Sequence, residues 1–206
     1  VLTCTALLAV PALVKAQVTA GHTLNYDAGL DATPGNSVWE DLNATAGFNW
    51  ALGANVTHNA APTTGLTGLT GSYIFPTSAS NIAANKGTMA TYSNIAAGEG
   101  PTDDPASFEL WFRPTNLSGG NQVLWETGGS GQGVSFTIQG GNTLRFELQQ
   151  DSSNELILTT PLNGLEGEFI QVLGTYDRNN PGTTDTLRLY VNGQEITSSP
   201  TTATGV

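Results

Sequence analysis

Cysteine is almost missing from this chain: Cys4 is the only one in 206 residues, and it lies in the opening apolar stretch. The rest cannot be stapled by a disulfide, so the fold depends on its own buried core. Such usage suits a bacterial exported protein better than an animal extracellular one, where disulfides are the norm. Basic residues are also scarce. Six Lys+Arg stand against 17 Asp+Glu, a formal net charge of −11. A chain this acidic is repelled by phosphate backbones and anionic lipid heads, which excludes nucleic acid as a partner. Charged residues reach only 11%, and the Ala, Leu, Glu, Lys and Arg runs that build long helices are absent. No apolar run approaches the about 20 residues that a transmembrane helix needs. Only two histidines occur, His22 and His58, with no Gly-x-Ser-x-Gly motif and no phosphate-cradling Gly-x-x-x-x-Gly-Lys loop. Two lone histidines make neither a serine triad nor a good zinc site.

What is present begins with a short apolar segment. Val1 to Val10, the break at Pro11 and Leu13-Val14-Lys15-Ala16 read as a secretory signal over residues 1–16, cleaved after Ala16. Cys4 precedes most of the apolar stretch instead of ending it, so it is not a lipoprotein anchor. The expected location is therefore secreted or cell surface, without membrane insertion of the mature chain. Sequons at Asn43, Asn55 and Asn116 decide nothing in a chain so rich in Asn and Thr.

From Ser107 onward, short alternating apolar segments succeed one another, each closed by a turn signal. Phe108–Arg113 ends at Pro114, and Val123–Thr127 comes after Ser118-Gly119-Gly120-Asn121. Val134–Ile138 and Leu144–Leu148 flank Gln139-Gly140-Gly141-Asn142, a hairpin signal. Glu155–Thr159, Phe169–Tyr176 and Leu187–Val191 complete the series, the last closing on Asn192-Gly193. Strands at this spacing without intervening helices predict an all-β antiparallel sandwich. Successive side chains in a strand face opposite sides. The expected core is therefore Phe108, Leu110 and Phe112; Val134, Phe136 and Ile138; Leu144, Phe146 and Leu148; Leu187, Leu189 and Val191. Residues 76–105 show little periodicity and read as a long loop or insertion.

The stretches Ser107–Pro114, Phe169–Asp177 and Leu187–Gly193 resemble, in order and spacing, three strands of the LamG-like (laminin G type) jelly-roll family of the concanavalin A-like lectin/glucanase fold. Upstream, Val38–Leu42 and Tyr73–Phe75 resemble earlier segments of bacterial members. The resemblance implies a two-sheet jelly-roll domain over residues 17–206, best supported over 107–193. Two departures stand out. Phe169-Ile170 replaces the family's Trp-led pair, and nothing after Gly193 resembles the family's C-terminal closing strand. The expectation is a piece truncated at both ends, with an unpaired sheet edge.

Because the same fold hosts glycoside hydrolases, paired carboxylates are the feature to seek. Glu-x-Asp-x-Glu and Glu-x-Asp-x-x-Glu are both missing; Glu109, Glu126 and Glu147 each stand alone in their strands. The expectation is no enzyme. The resemblance implies ligands of another kind. Relatives carry Ca²⁺ on rim loops, where Asp carboxylates and carbonyls supply hard oxygens. The candidates here are Asp27, Asp31, Asp41, Asp103, Asp104 and Asp177, with Asp41 and Asp177 first because they match family positions. Alternation also turns Glu109, Trp111 and Arg113, Arg145 and Glu147, and Arg188 and Tyr190 away from the core. Trp111, Arg113, Arg145, Arg188 and Tyr190 are thus candidate ligand-binding residues, since aromatic rings beside Arg suit sugar stacking with bidentate hydrogen bonds. Cross-strand ion pairs with Glu109 and Glu147, and a Trp covered by the 76–105 loop, are the favoured alternative. Trp39 and Trp50 read as core or edge packing, and Trp125 is left open. The expected function is a non-catalytic extracellular recognition or adhesion module for a glycan or protein, with calcium as the one implied cofactor. A spacer in a larger surface protein, or an accessory domain of a glycoside hydrolase, are the alternatives.

Overall fold

The computed structural model describes residues 25–43, 49–62, 69–76, 106–129, 132–151, 154–177 and 186–196. The expected signal, most of the 76–105 segment, Asp103, Asp104, His22 and everything after Ile196 lie outside them. Two compact units divide the chain, residues 1–87 and 88–206. Among the described residues there is no helix, and every paired strand is antiparallel.

The described residues of the first unit form two small ladders. One joins β1 (Val38–Trp39) to β2 (Trp50–Ala51), and the other joins β3 (Thr57–Asn59) to β4 (Ser72–Ile74). Among the described residues of this unit, Ala28 and Leu52 are the buried hydrophobic side chains. Aromatic rings supply further packing. Tyr26 meets Trp39 and Trp50 edge-on at 5.8 and 5.7 Å, Trp39 meets Tyr73 at 5.0 Å, and Tyr73 meets His58 at 5.2 Å. Edge-to-face contacts of this kind add to the area the rings bury.

The second unit is the all-β antiparallel sandwich that the alternation predicts. One sheet has the order β12 (Gln194–Glu195), β11 (Thr186–Val191), β10 (Ile170–Asp177), β5 (Ala106–Phe112). The other runs β6 (Gln122–Gly129), β7 (Gln132–Gln139), β8 (Thr143–Asp151), β9 (Asn154–Pro161). Their inner faces share one core. Ile138, Leu144, Phe146, Leu148 and Leu156 come from one sheet, and Ile170, Val172, Leu187 and Leu189 from the other, all essentially inaccessible to solvent. Each such side chain contributes about 1.5–3 kcal/mol by leaving water. Phe136 and Phe146, paired across β7 and β8, stack at 4.6 Å. Leu110, Phe112 and Val191 pack on this core but stay partly accessible: β5 is an edge strand of its sheet, and Val191 ends β11.

Turn chemistry sets the registers. Asn192 and Gly193 both have positive φ (50° and 78°) between the paired residues Val191 and Gln194. This is the two-residue turn whose twist matches an antiparallel hairpin. β6 carries a bulge between Val123 and Trp125. An extra residue in one strand reverses the facing of the side chains beyond it. Val123 is left 56% exposed, whereas Trp125 turns inward onto Phe108 (5.1 Å) and Phe136 (6.4 Å).

Candidate binding face

The outward face of the β12-β11-β10-β5 sheet is built in rows by the strand register. Arg113 and Phe169 lie at one end, then Trp111 beside Gln171. Next come Glu109, Leu173, Tyr190 and Glu195, and then Ser107, Thr175 and Arg188. Their strand neighbours point the other way, since Phe108, Val172, Leu187 and Leu189 are buried between the sheets.

Hydrogen bonds hold these groups in place. Glu109 Oε1 accepts from Trp111 Nε1 (2.8 Å) and from Gln171 Nε2 (2.7 Å), which fixes the indole against the sheet. Arg188 Nη1 donates to Glu195 Oε1 at 2.8 Å across the β11–β12 hairpin. This bond with Glu195, with help from Tyr190, holds the Arg188 guanidinium above its ordinary pKa. Arg113 is committed to the loop after β9. Its Nε donates to the Gly167 carbonyl at 2.6 Å, and its guanidinium lies 6.0 Å from the Phe169 ring centre. Gly167 N donates to Pro114 O, and Leu117 N to Glu166 Oε2, both at 2.8 Å, so the two loops at this end are latched together.

The sequence-derived set is therefore divided. Trp111, Arg113, Arg188 and Tyr190 share one outward face, but Arg145 lies on the outward face of the other sheet, across the core. There Arg145 Nη2 pairs with Glu147 at 2.7 Å and Glu155 at 3.5 Å. Alternation shows only that a residue points away from its own sheet, not which sheet that is. The expected ion pair to Glu109 is replaced by its bonds to Trp111 and Gln171. The expected pair to Glu147 forms along one strand, from Arg145, and Arg188 instead pairs with Glu195 across one hairpin.

The calcium candidates also separate. Asp177 sits at the end of β10 opposite Thr186. Asp27 Oδ1 accepts from Gly29 N, as a turn-forming Asp does. Asp31 accepts from Thr33 N and from the Tyr73 hydroxyl. Burial, then the Asp31 bond, pushes the Tyr73 phenol well above its ordinary range. Asp41 is buried in the first unit. Its Oδ1 accepts from Asn25 N (2.8 Å) and Asn43 N (3.2 Å), while Oδ2 is closed off without a hydrogen-bond partner. A buried, orphaned carboxylate oxygen fits a hard cation in donor type. Among the described residues, however, no three His, Cys, Asp or Glu side chains gather for a metal. His58 Nε2 lies 2.8 Å from Ala28 O. A carbonyl can only accept, so this nitrogen carries the proton and is not a free base.

Sequence reading missed the Glu109–Trp111–Gln171 unit. A Glu two residues before a Trp on one strand face was the available signal; Gln171, far along the chain, gave none.

Two antiparallel sheets closed over one core, with an outward face of fixed aromatic and polar groups, define a sandwich of the lectin-like class. A laminin G type family model, described as the concanavalin A-like lectin/glucanases superfamily, matches residues 86–206. This is more than half of the chain, and the protein belongs to that family. Laminin G-like domains are generally non-catalytic binding modules, and the superfamily suggests binding of carbohydrate or protein. No match was found among curated proteins or among solved structures. Among the described residues no helix is long and apolar enough to cross a membrane.

Proposed function

We propose that this protein is a non-catalytic, extracellular recognition module that binds glycan on the outward face of the β12-β11-β10-β5 sheet. The observation that carries the reading is the pose of Trp111. Its indole N–H is spent on Glu109, which fixes the ring plane, and Tyr190 and Arg188 lie on the same face. Rings fixed before binding lose little entropy when a sugar stacks on them. A hydrolytic role is disfavoured by the carboxylates. Glu109 and Glu147 are both engaged and lie on opposite outward faces, so they cannot flank one glycosidic bond. The apolar leader at residues 1–16 supports export. A glycan array, run with and without chelator, tests the proposal: the face should retain sugars, and Trp111→Ala should lose them. Absence of binding in both conditions sinks the glycan reading and leaves a protein ligand or a spacer role.

Calcium at Asp41 is a second, separate proposal, supported by the orphaned Oδ2. Asp41 would supply one carboxylate oxygen to the ion, which would act as a structural tie in the first unit. A calcium-dependent rise in thermal stability that Asp41→Asn removes is the expected result. Equal stability with calcium and with chelator overturns it.

A further inference from the structure

The rows of the binding face set a length scale. Trp111 stands on β5 and Tyr190 on β11, with β10 between them, and the two rings fall in adjacent rows. Two strand spacings across and one residue pair along separate their Cα atoms by about 12 Å. One hexose ring cannot touch both. The ground between is Leu173, an apolar floor, flanked by the polar side chains of Gln171 and Thr175. Trp111 is braced by Glu109, and Tyr190 stands on the same strand face as Arg188, which Glu195 anchors.

Charge narrows the class further. Arg188 is matched by Glu195, and the single charges of Arg113 and Glu109 offset each other, so the face carries no net charge. A face without net charge offers a polyanion no counter-charge, and the chain's net charge of −11 repels one at longer range.

Resting on the glycan reading above, we infer that the ligand is an electrically neutral, linear oligosaccharide of at least three sugar units. It lies across the strands, with one unit stacked on Trp111, one over Leu173 and one on Tyr190. Hydroxyls of the middle unit face Gln171 and Thr175.

Calorimetric titration of the full chain with mono- to hexasaccharides of glucan, xylan and mannan type, plus a polyuronate, tests this. Affinity should rise by about tenfold from di- to tetrasaccharide, the value of one further stacked ring, and then level off. Tyr190→Ala should bring the tetra- to disaccharide ratio toward one, while Tyr190→Phe, which keeps the ring, retains the step. Trp111→Ala should weaken binding at every length, and Trp111→Phe should weaken it less; circular dichroism checks that each variant is folded. Equal affinity at all lengths, an unchanged step in Tyr190→Ala, or preference for the polyuronate overturns the inference while the glycan reading stands. Failure of every saccharide to bind overturns the glycan reading itself.

Discussion

Gly174 on β10 lies directly under the Phe146 ring of the facing sheet, so close that a side chain at 174 would occupy the place of the ring's outer carbons. Phe146 is fully buried, stacked on Phe136 and 6.4 Å from Phe108. The missing β-carbon therefore sets how near the two sheets approach at the centre of the core.

Gly174→Ala is expected to destabilise the second unit by about 1–3 kcal/mol through overpacking. Urea unfolding of the full chain measures it. Adding Phe146→Leu should recover part of that loss, since the smaller side chain vacates the contested space. Additive losses in the double variant would show that the two positions do not compete.

Gly193 should tolerate substitution poorly although its surroundings are open. No atom lies within 4 Å of a β-carbon there, but its φ is +78°. Gly193→Ala is expected to cost about 1–2 kcal/mol from backbone strain alone. An unfolding midpoint equal to wild type would refute this.

Tyr73 makes the first unit sensitive to alkali. Burial and the bond to Asp31 raise its phenol above the ordinary value of 10.0. The folded form then holds the proton more tightly than the unfolded one, so this stabilisation is complete below the unfolded pKa. It is lost as pH climbs from there through the raised folded value. Spectrophotometric titration should show a late-ionising phenol that disappears in Tyr73→Phe. A tyrosine count titrating wholly in the ordinary range would contradict the assignment.

Asp41 acts as a local tie in the first unit. Through Oδ1 it holds the amides of Asn25 and Asn43, and its own amide donates to Asn49 Oδ1 at 3.0 Å. Asp41→Ala should cost about 1–3 kcal/mol by removing two hydrogen bonds to a charged acceptor, and hydrogen exchange at Asn25 and Asn43 should accelerate. Asp41→Asn keeps an acceptor and should slow that exchange again. Unchanged exchange in the alanine variant would count against the role.

Much of the second unit is legible residue by residue. Phe108, Val134, Phe136, Ile138, Leu144, Phe146, Leu148, Leu187 and Leu189 are expected inward from period-two alternation, and all are buried. The turn at Asn192-Gly193 is set by the φ values those residues tolerate. Trp125 was not legible. Plain alternation gives Val123 and Trp125 one facing, and the bulge between them separates the two. The first unit was harder still, because strands of two or three residues show no period and its core is a chain of rings instead of an aliphatic stripe.

By itself the sequence determined the strand character, the facing of each side chain relative to its own strand, and the acidity of the chain. These are local or additive properties: steric alternation acts between neighbours, and charge sums over the chain. Only the tertiary structure decided which strands share a sheet. That choice parted Arg145 from Trp111, Arg188 and Tyr190, and brought Gln171 to Glu109 across 62 positions of chain. It also set Gly174 beneath Phe146. Pairing between distant strands is fixed by the fit of the whole core, which no local pattern encodes.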